Sequence, residues 1–266
     1  MKTNQMLTFA AALLTLFAAC KKEETSTPAA RPATTCRMTK VTNLDSFDCK
    51  PRYTIRTYEY DNSSRIIKQI VSGGGTGSGD QTTVVTYTGN TIIANATYPT
   101  IPNYYKQTAI LNGAGYATAV YGENFDYPHG IMYDTTYYEY DANNYRTKMM
   151  QQRYTPLYST TLYTYANGDV ASEVITSTNG DVSTTLFQYD MNRTALSDPF
   201  NPIIKTGKYN THLLKSFTTS SSIYTPSRTD VTYQFNSDGY PTKRTDIITY
   251  PLAIRYADVL FEYFCN

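Results

Sequence analysis

The chain has 266 residues, a formal net charge of +1 and only 17% charged residues. So balanced a composition offers no basic field for nucleic acid and no acidic tail, which sets nucleic-acid partners aside. Its 27 tyrosines, absence of tryptophan and abundant threonine suit the pleated, half-buried surface of a sheet, and the length suits one large β domain.

Met1 to Ala19 has a charged start at Lys2, an apolar run from Met6 to Phe17 and two small residues, Ala18 and Ala19, directly before Cys20. Residues 1–19 read as a secretory signal peptide, too short for a spanning helix. Its end resembles a bacterial lipobox, so the mature chain is expected to begin at a lipidated Cys20 and to meet the membrane through that lipid. Residues 20–35 are rich in Thr, Pro and Ala and cannot bury enough apolar surface to offset their ordering entropy, so they read as a flexible tether. The Lys21-Lys22-Glu23-Glu24 run beside the cysteine is similar to the surface-export signal of Bacteroidota lipoproteins. That likeness implies an outer-membrane lipoprotein facing the cell exterior, with the periplasmic face as the alternative.

From Cys36 the chain reads as strand, turn, strand, giving a single domain over 36–266. Cys36 to Thr42 alternates and is closed by the turn-rich Asn43 to Asp48. Arg52 to Tyr60 returns, and Ile66 to Val71 follows Asp61-Asn-Ser-Ser64. The fullest statement of the pattern is Tyr137 to Met150, where Tyr138 and Tyr140 share a strand face before the turn cluster Asp141-Ala-Asn-Asn144. Its anchors fall at Tyr60, Tyr87, Leu111, Tyr140, Tyr165, Tyr189 and Phe235, at spacings of 27, 24, 29, 25, 24 and 46. The last is nearly two periods, so a degenerate unit is expected around Tyr209 to Thr219, giving eight hairpins and roughly sixteen strands. Asn201 to Leu214 lacks alternation, but Pro199, Pro202 and Gly207 allow no more than a turn or two of helix. The expected fold is an all-β antiparallel meander, curled into one sheet or barrel-like. A membrane barrel shares the even strand number and aromatic richness; the lipobox and the Thr, Lys, Gln and Asn on both strand faces argue against it.

The Tyr-x-Tyr-Asp turns resemble tyrosine-aspartate repeats of the Rhs type. With the lipobox, the Leu111-Asn-Gly-Ala-Gly-Tyr-Ala-Thr118 unit and the Asp198-Pro-Phe-Asn-Pro202 insertion, the chain is similar to a Bacteroidota lipoprotein domain family of unknown function. The likeness covers roughly 36–266 and brings no catalytic residues with it. Ser64 and Asn144 stand where such repeats have glycine.

No convergent catalytic or metal-binding set emerges, and no cofactor is implied. Gly73 to Gly79 lacks the ending of a phosphate-binding loop and reads as a hairpin loop. His129 and His212 have no ligand-spaced neighbour and read as solvated loop residues. Asp61, Asp141 and Asp190, with Asn236 and Asp238, recur at strand ends as turn caps should. Glu59 and Glu139 belong to an exposed polar face. Tyr58 and Tyr60, Tyr138 and Tyr140, Tyr163 and Tyr165 form cross-strand ladders; a solvent-facing part of them would suit stacking on sugar rings. After lipidation three cysteines remain. A turn at 43–48 puts Cys36 opposite the middle fifties, which leaves Cys49 badly placed and favours a disulfide between Cys36 and Cys265. The functional expectation is a non-enzymatic binding or scaffolding lipoprotein, with a glycan or an envelope protein as partner. A polysaccharide hydrolase using paired carboxylates, Glu139 and Asp141 foremost, is the alternative.

Overall fold

The computed structural model describes residues 36–47, 50–73, 80–99, 104–126, 130–152, 158–195 and 203–265. The signal peptide, Cys20, the tether, Cys49, His129, the insertion at 198–202 and the rest of the glycine run, 74–79, lie outside them. Sixteen strands follow in order: β1 (Cys36–Phe47), β2 (Lys50–Tyr60), β3 (Ile66–Gly73), β4 (Gln81–Thr88), β5 (Thr91–Thr97), β6 (Tyr104–Leu111), β7 (Ala117–Asp126) and β8 (Gly130–Tyr140). The second half comprises β9 (Arg146–Gln152), β10 (Tyr158–Ala166), β11 (Asp169–Ser177), β12 (Val182–Thr194), β13 (His212–Ser221), β14 (Ser227–Phe235), β15 (Pro241–Tyr250) and β16 (Ala253–Cys265). The described residues contain no helix. Each strand pairs antiparallel with its sequence neighbours and β16 pairs back onto β1, so the meander closes into a barrel without a free edge. At this seam Cys36 lies opposite Cys265, and the two are joined by a disulfide.

Strand alternation sorts the side chains between the two faces. Val41, Tyr58, Val85, Ala94, Ala109, Val120, Val259 and Phe261 point inward, each no more than 6% exposed. Outward lie ion pairs: Lys40–Glu262 and Lys68–Glu59 at 2.7 Å, Lys243–Asp258 at 2.8 Å and Lys148–Glu139 at 3.1 Å. Porins of similar strand number enclose an aqueous channel. Here the inward residues of β16 and β1 through β8 join Ile203 and Ile204 in one apolar cluster.

The turns at one end of the barrel explain the sequence repeat. At Asp61, Asn112, Asp141 and Asn236 the side-chain Oδ1 accepts the N–H groups two and four residues on, at 2.8–3.1 Å. The residue three on is left-handed: Ser64 and Asn144 at φ 64°, Gly115 and Gly239 at 81°. Glycine is the default for that conformation, so Ser64 and Asn144 hold it at a steric cost that the cap offsets. Register shifts fall immediately before the anchors Tyr60, Leu111, Tyr140, Tyr165, Tyr189 and Phe235. The extra residue of each bulge lies on the returning strand, Ile67, Thr118, Thr147, Ala171, Lys215 and Thr242, so the anchor strand keeps its alternation and Tyr60 and Tyr140 share the inner face with Tyr58 and Tyr138. The hydroxyl then reaches the strand that follows the preceding turn. Tyr60 donates to the Met38 carbonyl, Tyr87 to Ile66 (2.9 Å) and Tyr140 to Ala117, while Tyr165 bonds the Arg146 backbone.

Three expectations are corrected. The 46-residue spacing holds no extra hairpin: β13 begins at His212, and residues 195–211 are a long insertion in the turn of a single unit, the one built from β12 and β13. The strand number still reaches sixteen because the eighth unit is the seam between β16 and β1. The first turn is not at 43–48, since β1 continues through Phe47 with Lys40 opposite Thr57. Asp190 does not end its strand, because β12 runs on to Thr194 across a register shift.

Candidate functional site

The insertion folds back over the turn-side end of the barrel. Its backbone bonds to Ala117 through the Lys205 carbonyl (2.8 Å), to the Asn144 carbonyl through the Lys208 N–H (3.1 Å) and to the Gly168 carbonyl through the Thr211 N–H (3.3 Å). These partners lie on three different hairpins, so the loop spans the opening. Ile204, 4% exposed, enters the apolar cluster. Gly207 is needed where it stands. Its φ is 119°, and a Cβ there would lie 3.2 Å from Arg146 Cβ and 3.3 Å from the Tyr140 ring.

At its far end the loop is fastened by a buried carboxylate. Asp169, 2% exposed, accepts the His212 N–H at 2.8 Å, and its other oxygen lies 2.6 Å from His212 Nδ1. Asn210 Oδ1 accepts the Val170 N–H at 2.9 Å. His212 is therefore a fastening residue and not the solvated loop histidine expected. A turn reading of Asn167-Gly-Asp169 gives no sign that the aspartate is buried.

Beneath the loop lies a cavity of about 260 Å³ walled by the insertion and by β1, β9 to β11 and β13 to β16. Much of the wall is apolar or aromatic: Met38, Leu213, Phe261, Tyr165, Tyr233 and Tyr263. Burial pushes the Tyr263 hydroxyl well above the ordinary tyrosine range. Two arginines contribute charge. Arg244 is held bidentate by Asp246, Nε to Oδ1 at 2.7 Å and Nη2 to Oδ2 at 2.8 Å. Arg146 has no such partner among the described residues. Its Nη1 donates to Thr206 Oγ1 at 3.0 Å, its guanidinium lies 4.2 Å from the Tyr163 ring centre and 5.9 Å from that of Tyr138, and its Nε is buried without a hydrogen bond. Burial raises the pKa of Glu173, while the Arg146 charge acts to lower it.

The six tyrosines singled out as stacking candidates all face the interior. Tyr58 and Tyr163 are 6% and 8% exposed, Tyr60, Tyr138 and Tyr140 pack around the core and the turn-side end, and Tyr165 lines the cavity. None offers its ring to a ligand approaching the outer surface. Inward burial accounts for the raised hydroxyl pKa of Tyr60 and Tyr163, each pushed up to about 12. The aromatic residues of the strands that lie open to solvent are others, among them Tyr53, Tyr121, Tyr133, Tyr137, Tyr158, Tyr256 and Phe264. Glu139 and Asp141 do not form a catalytic pair. Glu139 is engaged by Lys148 on the outer wall, and Asp141 Oδ1 is occupied by two turn amides.

No protein-family model and no curated protein matches the chain. Among solved structures it is similar to a porin-like protein from Bacteroides uniformis ATCC 8492, with a TM-score of 0.59 and 17% identity over 85% of this chain and 96% of that one. A porin-like protein from Bacteroides vulgatus ATCC 8482 gives a TM-score of 0.55 and 15% identity over 85% and 98%. At these identities the likeness is one of fold.

Proposed function

We propose that the chain is an outer-membrane lipoprotein of the Bacteroidota kind, held by a lipid on Cys20, whose barrel stands in the aqueous phase and acts by binding. The tether at 20–35 lets the barrel hang from the cell surface or, alternatively, from the periplasmic face. The observation that carries the aqueous reading is the outer wall. A spanning barrel needs an apolar band about 25 Å tall against lipid. Exposed apolar side chains do stand on the strands, Leu44, Ile67, Ile131, Leu162, Leu186 and Ile254 among them, but they are interrupted: the outward partners along β4 and β5 are Thr82 with Thr97, Val84 with Asn95, Thr86 with Ile93 and Thr88 with Thr91, and β14 carries the exposed Arg228–Asp230 pair at 2.7 Å. The likeness to porin-like proteins supports an outer-membrane setting and favours a channel as the second reading. The insertion across the turn-side end opposes free passage. The binding compartment is the cavity beneath that insertion.

Replacing Cys20 by Ser in the exported protein separates the two readings. A tethered barrel is then recovered in the soluble fraction without detergent, while the parent incorporates labelled fatty acid. A Cys20→Ser protein that still needs detergent would establish a membrane-spanning barrel.

A further inference from the structure

We propose that the cavity beneath the insertion takes a small organic anion, a carboxylate on an apolar body, with Arg146 as the group that meets the carboxylate. The proposal rests on the cavity being the binding compartment. Guanidinium groups stay protonated in proteins. A charge drawn out of water requires a partner, and buried charges in proteins are paired. The other arginine of this wall follows that rule, since Arg244 is matched by Asp246. Arg146, half-buried, has no such ion-pair partner among the described residues. Nη1 is used by Thr206, Nε is sealed without a partner, and no hydrogen bond of the described residues engages Nη2.

The faces of Tyr163 and Tyr138 supply a cation–π seat, which orients the guanidinium without neutralising it. Glu173 is the carboxylate that feels Arg146, but it makes no ion pair with it among the described residues. Lys208, exposed on the insertion with its Nζ 5.0 Å from the Tyr145 ring centre, adds a positive charge to the cavity wall beside those of the two arginines. The rest of the ligand is chosen by the wall. Met38, Leu213, Phe261 and Tyr263 offer apolar contact, and a volume of about 260 Å³ lies just below the usual range for drug-sized ligands, about 300–1,000 Å³. A metabolite-sized acid fits this description; a polysaccharide chain does not.

The test is calorimetric titration of the mature chain, residues 20–266, with three acids and their uncharged amides: 3-phenylpropanoate, hexanoate and succinate. At least one acid is expected to bind tenfold or more tightly than its amide. Arg146→Gln is expected to bring that ratio close to one, while Arg146→Lys, which keeps the charge, preserves a preference for the acid. Because Arg146→Gln loosens the insertion at Thr206, the acid-to-amide ratio of the unaltered protein and the lysine variant carry the test if the glutamine variant fails to fold. Acid and amide binding equally, or a preference that survives in a folded Arg146→Gln, overturns the anion inference and leaves the compartment standing. A blank with all six compounds removes the compartment itself.

Discussion

Replacing Tyr140 by Phe isolates the bond that ties one hairpin to the next. The ring remains, so inward packing against Tyr116 and Gly207 is kept. What disappears is the hydroxyl donated to the Ala117 carbonyl, at the start of β7 beneath the insertion. Deleting one partner of a buried hydrogen bond costs about 1–3 kcal/mol, because the remaining group is left desolvated and unpaired. For a domain of this size each kcal/mol moves Tm by about 2–4 °C, so Tyr140→Phe should lower it by about 2–12 °C. Tyr60→Phe and Tyr87→Phe remove the equivalent bonds to Met38 and Ile66 and should fall in the same range. Tyr137→Phe is the control. Its ring lies on the outer wall, 43% exposed, and the change should stay within about 0.5 kcal/mol. Calorimetric melting of the four variants decides. If Tyr140→Phe is as stable as Tyr137→Phe, the hydroxyl bonds do not hold the hairpins together and the repeated tyrosine is only a filler of space.

Cys265→Ser opens a closure between residues 229 apart in sequence; the chain-entropy model puts the loss at about 5 kcal/mol, read as a lower urea midpoint than that of the oxidised parent. Glu173 has a folded-state pKa above its ordinary 4.5, so the unfolded chain gives up this proton first and the residue weakens folding as pH rises above that value. Glu173→Gln should therefore raise Tm at pH 7, and the gain should vanish below pH 4.5, where both side chains are neutral; an equal gain at both would refute the assignment. Tyr60 and Tyr163 stay protonated in the barrel to about pH 12, whereas unfolded tyrosines ionise near 10. Stability is thus complete below pH 10 and drains away between 10 and 12, and phenolate absorbance should rise for these residues in one cooperative step with unfolding. A smooth titration in a still-folded protein would contradict their burial.

The strand-and-turn grammar was legible because one local signal, Asp or Asn at the strand end, fixes the cap, the left-handed residue and the return strand together. Closure followed from strand number, since so many twisted strands must curl. The insertion misled because a spacing of 46 residues is numerically close to two repeats, and length alone does not distinguish a hairpin from a loop that crosses to other hairpins. Its partners, Ala117, Asn144 and Gly168, are remote in sequence and leave no periodic trace. The inward direction of Tyr58, Tyr138 and Tyr163 was hidden for another reason: both faces of these strands carry Tyr and Thr, so alternation shows that two faces exist without saying which is the core. Arg146 and Asp169 were missed because each sits beside a turn, where a charged residue is ordinarily solvated. The loop laid over them buries Asp169 and half-buries Arg146.

At the seam the Cα atoms of Cys36 and Cys265 are 4.0 Å apart, nearly the 3.8 Å that separates neighbours along a peptide chain. The barrel is thus close to being a ring in the covalent sense, and the point at which its polypeptide starts is incidental to its architecture. Seven turns and one cystine perform the same office at eight positions around the rim. A gene rearranged to begin at Asn90 and to run from residue 265 through a short linker into residue 36 would encode the same closed wall, with Gly89 and Asn90 as the new ends. The one rim position that resists such cutting is the turn between β12 and β13, because the chain there also serves as the lid.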